Sequence, residues 1–487
     1  MMKRILYVLA ACLMISCACT PESSSTTGPE GPVSNLPLPS EPAVLETYKY
    51  AVTLAPSTRY WVRVDGVDQF CYPTEEPDIT AFGCNDSVLV EISCLSEKIN
   101  KAVVRPISKN PAYEVVDDKI YLIMKPYDRY VVEINDNESK PLFLFANPLQ
   151  SSMGVSKDDP DVIWFEAGKV HKNVGTISLK SGQTVFFEGG AVVEGHIDSK
   201  KTADVTVTGP GILNCWPVEG QTAVYFLDCT NISLSHSIIL NETKWTTQIC
   251  HSSGINALNW KAIATWNHFN ATGCENDAFD IYGSNTMTVK HGFSYAHDDT
   301  FCIKSRKFNY NAPVYDISYE DCIAWNVNSG NSFQIGYELG QNVTDVSYKD
   351  IYSIHSAGSV NPLMRGAVSI INAADGIVDG VTYENVYIED PKEFGFFFSV
   401  RKSSYNLGVD ENGNQIYWTK PGIIRNVTVK NMHILKDPPK GYTIEGYNAD
   451  FGIENLVFDG LYVGGKRITD IAQMGVKTNK YIDVKVK

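Results

Sequence analysis

From about Val44 to Leu149 apolar and polar residues alternate: "YKYAVTL", "YWVRVDG", "SVLVEISC", "KIYLIMK", "RYVVEIN" and "PLFLFANP" are separated by Pro, Asp, Asn and Gly. A period of two with turn signals at short intervals predicts half-buried strands, and so a small β-sandwich over residues 44–150. Beyond Pro160 the pattern changes to short strands broken by Gly and Asn. A weak repeat runs through "DVTVTGPGIL" from Asp204, "NISLSHSIIL" from Asn231, "TMTVKHGFSY" from Thr286, "DISYEDCIAW" from Asp316, "DVSYKDIYSI" from Asp345, "GVTYENVYIE" from Gly380, "NVTVKNMHIL" from Asn426 and "NLVFDGLYVG" from Asn455. Each unit is two apolar-alternating strands joined by a polar turn, and the units recur mostly at roughly 25 to 35 residues, the spacing of solenoids.

Stacked β coils of this length predict a parallel β-helix over residues 160–487, the inward Ile, Val, Leu and Cys of each coil burying those above and below. A sandwich also repeats short strands, but a repeat sustained from about residue 200 to 463 favours the solenoid. The stretch from Asp390 to Gly422, with "EFGFFFSVRKSSYN" and "DENGNQIYW", breaks the pattern and is expected to project as a loop or hairpin.

The amino terminus has a different character. "MMKRILYVLAACLMISCAC" pairs a basic start, Lys3 and Arg4, with an apolar run too short for a stable membrane span, as in a secretion signal over residues 1–16. Met14-Ile15-Ser16-Cys17 resembles a bacterial lipobox, which implies lipid on Cys17 and an exported lipoprotein of the outer membrane; the alternative is an ordinary secreted protein. Residues 17–43, rich in Ser, Thr, Pro and Gly, read as a flexible tether. Of the 12 cysteines none forms a CxxC pair or a Cys/His cluster with zinc spacing. Cys215, Cys229, Cys250, Cys274, Cys302 and Cys322 read mostly as small buried hydrophobes, with disulfides open.

A net charge of −15 and the lack of a long Lys/Arg run argue against a nucleic-acid surface, and they make a highly anionic polysaccharide a less natural substrate. Within this acidic background "ENDAFDIYGSNTMTVKHGFSYAHDDTFCIKS" places Asp277 in one strand-like segment and Asp298-Asp299 in the next. If these lie one coil apart, stacking brings their backbones to about 4.8 Å and their carboxylates together. Such a cluster suits glycosidic hydrolysis, since crowding keeps one carboxyl protonated as acid while another activates water. A calcium site or a solvated acidic turn is the alternative from spacing alone.

"ENDAFDI" followed by "HDDTFCIKS" resembles the pattern of glycoside hydrolase family 28, the polygalacturonases. The resemblance implies a right-handed parallel β-helix and cofactor-free, inverting hydrolysis, with Asp298 as general acid and Asp277 and Asp299 positioning and deprotonating water. The chain departs from that family in "GNSFQIGYE", which has Asn331 where polygalacturonases carry the His of Gly-His-Gly, and in lacking an Arg-Ile-Lys motif for a uronate; "MRGAVSI" around Arg365 does not replace it. "PLFLFANP", "IWFEAGKVH", "SGQTVFFEGGAVVEGHI" and "FQIGYE" are similar to glycoside hydrolase family 49, the dextranases, which place a β-sandwich before the β-helix. The implied substrate is a neutral, α-linked poly- or oligosaccharide, and the implied partners are that carbohydrate and other glycan-uptake proteins.

Lys304 and Arg306 follow the Asp pair at strand spacing and are candidate donors to sugar hydroxyls or salt-bridge partners. His297 could tune Asp298. Gln334, Tyr337 and Glu338 are candidates for substrate binding, with Trp266, Tyr282 and Tyr295 as further subsite aromatics or core. A polysaccharide lyase on the same solenoid and a noncatalytic glycan-binding lipoprotein are the rival readings.

Overall fold

The computed structural model describes residues 36–37, 41–215, 221–241, 244–265, 276–307, 310–356, 366–402, 406–409, 412, 414–417 and 420–487. The signal, Cys17 and most of the tether lie outside them, as do Trp266, Cys274 and Arg365. No described helix is long and apolar enough to cross a membrane.

Two sheets form the amino-terminal unit. One contains Leu45–Glu46, Cys71–Pro73, Asp78–Cys84, Ala102–Arg105, Arg129–Ile134 and Asn137–Asn147, and the other Tyr60–Val64, Val67–Gln69, Val88–Cys94, Tyr113–Val116 and Lys119–Met124. Alternation places Val62, Val90, Ile120 and Leu122 of one sheet against Phe82, Val132 and Leu144 of the other. The first sheet is buried on its back as well, where Val131, Phe143 and Phe145 pack on Phe293, Tyr295 and Trp325 of the following unit. This explains why "PLFLFA" is continuously apolar: a strand covered on both faces has no solvent side to mark with polar residues. Phe143 meets the rings of Phe293 and Tyr295 edge-on at 5.0 and 5.3 Å.

Polar groups complete the seam between the two units. Lys261, fully buried, donates to Asn147 Oδ1 (2.6 Å) and the His236 carbonyl (2.8 Å). Arg105 bridges Glu133 (3.0 Å) and Glu389 (3.1 Å), and Arg129 reaches Asp321 at 2.7 Å. Such a seam makes the two units a fixed frame for side chains that cross it.

From Val162 to Val486 the described residues form a parallel β-helix: 27 of the 28 strands of its sheet pair parallel from coil to coil, and Lys466–Ile468 turns back antiparallel on Ile453–Val463. The repeat read from the sequence is the passage from one wall to the next. In "DISYEDCIAW" and the Asn that follows it, Ile317 to Glu320 pair with Met287 to Lys290 below, and Ile323 to Asn326 pair with Phe293 to Ala296. Left-handed backbone at the wall corners selects the polar punctuation: Asp316, Asp345, Asn426 and Asn455 at one corner, and Asp321, Asp350, Asn385 and Asn431 at the other, have φ between 49° and 58°. Their side chains stack, with Asn385 donating to Asp350 and Asn431 to Asn385, both at 2.8 Å.

The stretch expected to project is only partly a projection. Phe394–Val400 is a strand of the solenoid, paired with Val368–Asn372 on one side and with Gly441–Glu445 on the other. Phe396 and Phe398 point inward onto Phe458, with ring centroids at 5.3 and 6.3 Å, and this burial draws the segment into the wall. The hairpin proper is Asn406–Val409 with Gln415–Tyr417.

Candidate active site

Register fixes the site. An inward ladder of Phe279, Phe301 and Phe333 runs through three successive coils, with neighbouring ring centroids 6.0 and 5.4 Å apart. Two residues before each rung stand Asp277, Asp299 and Asn331. Main-chain bonds extend the pairing to these positions: Ala278 N–H donates to the Asp299 carbonyl and Thr300 N–H to the Asn331 carbonyl, both at 2.9 Å. Asp277 and Asp299 are therefore one coil apart. The alternate, outward positions of the same strands form a second ladder, Gln248, Asp280, Cys302, Gln334 and Ser369.

Lys304 projects from the end of its strand into the midst of the acids. Its Nζ lies 3.3 Å from Asp277 Oδ2, 3.8 Å from Asp299 Oδ2 and 3.9 Å from Asp280 Oδ2, and it donates to the Tyr282 hydroxyl at 3.3 Å. Burial opposes a charge here, yet the surrounding acidic groups, Cys302, Tyr282, Asp280 and Asp277, hold the ammonium well above the ordinary lysine range. One buried cation thus serves three carboxyl groups, and if all three were ionised two charges would stand uncompensated.

Asp280 accommodates the excess. It is completely buried, and burial first, then the charge of Asp277, raises its carboxyl well above the usual carboxylate range, with Lys304 opposing. Hydrogen bonding to Asp277 raises it further. The Tyr282 hydroxyl donates to Asp280 Oδ2 at 3.0 Å.

Asp299 is held by donors. Asn331 supplies its main-chain N–H at 2.8 Å and its side-chain amide at 3.0 Å, both to Oδ1. The Gln334 amide, with its nitrogen turned to the acid, lies 2.5 and 2.6 Å from the two carboxylate oxygens and accepts from Asn331 at 3.2 Å. Gly366 N–H donates to Asn331 Oδ1 at 3.0 Å, which fixes the way Asn331 faces.

Asp298 differs from its neighbours. It is half-buried, whereas Asp277, Asp280 and Asp299 are buried. Its carbonyl accepts from the Asn326 amide at 2.6 Å, and Gly330, at φ +76°, lies so close that a Cβ there would sit 2.6 Å from Asp298 Oδ1. Both the positive φ and this approach call for glycine at that position.

No protein-family model matches this chain, and no curated protein sequence does. Among solved structures it is similar to Dex49A from Penicillium minioluteum, at 15% identity over 91% of this chain and 96% of that one, with a TM-score of 0.58. The two share a fold. A hyperthermoactive exopolygalacturonase from Thermotoga maritima is matched at 15% identity over 63% of this chain and 85% of that one (TM-score 0.46). A polygalacturonase from Erwinia carotovora ssp. carotovora is matched at 16% identity over 67% and 87% (TM-score 0.45).

The other candidate residues divide into two sets. Lys304 and Gln334 join the aspartates, but they face carboxylates. His297 turns to the seam, where its Nε2 lies 2.8 and 3.0 Å from the two carboxylate oxygens of Glu76, and Tyr295 donates to the same group at 3.1 Å. Arg306 opens the short hairpin Arg306–Lys307 with Tyr310–Asn311; burial lowers its guanidinium and the charge of Asp375 opposes this. Tyr337 ends its strand opposite Asn372, and the half-buried Glu338 accepts the Ser305 and Arg306 N–H groups at its carbonyl. These three continue the wall beyond Lys304.

Asp280 and Asn331 are the groups that sequence reading left out of the site. Asp280 stood within the quoted "ENDAFDI", but only the rung-by-rung register shows that its outward position faces Asp277 and Lys304. No disulfide joins the eight cysteines among the described residues, all of them buried except Cys94.

Proposed function

We propose that this protein is an exported glycoside hydrolase that cleaves a neutral, α-linked poly- or oligosaccharide with inversion, without a cofactor. The observation that carries the reading is the stacking of Asp277 and Asp299 on consecutive coils around Lys304, beside the more open Asp298. In this arrangement Asp298 gives its proton to the leaving oxygen. Asp277 and Asp299, held by Lys304, Asn331 and Gln334, orient the water and take its proton.

Two features favour this reading over its rivals. Lys304 already stands among Asp277, Asp280 and Asp299, which leaves a divalent cation little reason to bind there. On the coil after Gln334 and Gly336 the paired residues, Ser369 and Ile371, carry no charge, as a neutral substrate would allow. Export and lipid attachment at Cys17, with outer-membrane placement, complete the reading from the sequence.

A product screen tests it. Protein lacking the signal is incubated with dextran, pullulan, other neutral glycans and polygalacturonate, and read by reducing ends and ultraviolet absorbance. The expected result is new reducing ends from a neutral glycan without absorbance. Absorbance would point to lyase chemistry, and binding without any product to a glycan-binding protein.

A further inference from the structure

Glu76 of the amino-terminal unit reaches the turn that carries Asp298. Cys71–Pro73 and Asp78–Cys84 form an antiparallel pair, and the turn between them carries Glu76 at its tip. That turn is braced from its own side: Thr74 Oγ1 donates to the Pro77 carbonyl at 2.6 Å and accepts from Glu76 N–H at 3.2 Å. Arg59 donates to the Thr74 carbonyl at 3.0 Å while pairing with Asp78, and Lys140 reaches the Glu75 carbonyl. Glu76 is thus presented on a rigid arm. Across the seam its carboxylate receives Tyr295 and, with both oxygens, His297, which is 4% exposed.

His297 immediately precedes Asp298. Its carbonyl accepts Ser329 N–H at 2.7 Å, the next carbonyl accepts the Asn326 amide at 2.6 Å, and the one after accepts Ala278 N–H at 2.9 Å. The main chain of residues 297–299 is therefore pinned from the solenoid side, and the His297 ring is pinned from the other side by Glu76. Together these contacts hold the main chain from which the Asp298 carboxyl projects.

We infer that Glu76 is a positioning residue for the hydrolysis: through His297 it holds the turn that presents Asp298, so the amino-terminal unit completes the active site. The inference rests on the hydrolase reading above. A misplacement of the acid by about 1 Å costs up to about 100-fold in rate, so the expected effect is large although Glu76 touches no reacting atom.

The test uses the whole protein, Glu76→Ala and Glu76→Gln on the glycan found by the screen, with mass-spectrometric hydrogen exchange alongside. Glu76→Ala is expected to lower kcat by about 10- to 100-fold with KM within about twofold. It should also speed exchange of the Ser329 and Ala278 amides, which bond to the turn. Glu76→Gln keeps an acceptor for the imidazole N–H and should restore most of kcat and the slow exchange. A seam contact with no part in positioning would lower the melting temperature and leave kcat below that temperature unchanged. Unchanged kcat in Glu76→Ala, or unchanged exchange at the turn, overturns the inference. If the wild-type protein cleaves no glycan, the hydrolase reading falls by itself, and the exchange data alone then decide whether Glu76 holds the turn.

Discussion

Asp298→Asn is expected to lower turnover by about 10²- to 10⁴-fold, the usual contribution of a positioned general acid, while KM and the fold stay as they are. The leaving sugar oxygen needs a proton as its bond breaks, and an amide cannot supply one. The fold should tolerate the change because Asp298 is half-buried and the turn is anchored through its main chain, with the Asn326 amide on the Asp298 carbonyl. Initial rates on the substrate from the screen, with thermal melting as the control, read the result. Wild-type turnover in Asp298→Asn would remove the acid role. Asp299→Asn would be a poorer probe, since an amide there would set its own donors against those of Asn331 and Gln334.

Lys304→Met is expected to produce the larger loss of stability. Removing one partner from a buried ionic group typically costs about 3–5 kcal/mol, because the charges left behind have neither water nor a counter-ion. Here Asp277, Asp280 and Asp299 would all lose the same ammonium. The carboxyl groups left behind would hold protons more readily, the direction in which burial and the charge of Asp277 already shift Asp280 in the wild-type protein. A carboxyl whose folded pKa lies above its unfolded value favours the fold below the unfolded value, and that advantage is lost as pH rises. The deficit of Lys304→Met should therefore be smaller at about pH 4, near the unfolded carboxyl value, than at about pH 7. Melting temperatures of both proteins across that range check this. A deficit independent of pH, or none, would mean that Lys304 does not serve these acids.

How far the sequence disclosed this site depends on which contacts follow from local pattern. The coil repeat was legible because corners need left-handed residues and walls need inward Ile, Val and Phe, and both leave marks on the chain. The spacing of Asp277 and Asp299 equals that of Phe279 and Phe301, which are paired in register, so one ladder explains both. Asp280 escaped because an outward carboxylate on a strand ordinarily meets water, and its burial depends on what neighbouring coils place beside it. "EFGFFFSV" was misplaced because three consecutive Phe hide the alternation: Phe396 and Phe398 face the core, while Phe397 lies outward with Arg401 4.9 Å from its ring. Glu76 and His297 are 221 positions apart, and no pattern in either segment announces the other.

The configuration of the first sugar released tests the roles of Asp277, Asp298 and Asp299 together. Proton NMR of the new reducing end, recorded before mutarotation, distinguishes direct attack by a water held at Asp277 and Asp299 from passage through a covalent sugar–enzyme intermediate. With water held at Asp277 and Asp299, the anomeric signal is expected to appear first in the configuration opposite to the bond cleaved. Appearance first in the same configuration would contradict it, because one of these carboxylates would then be acting as a nucleophile.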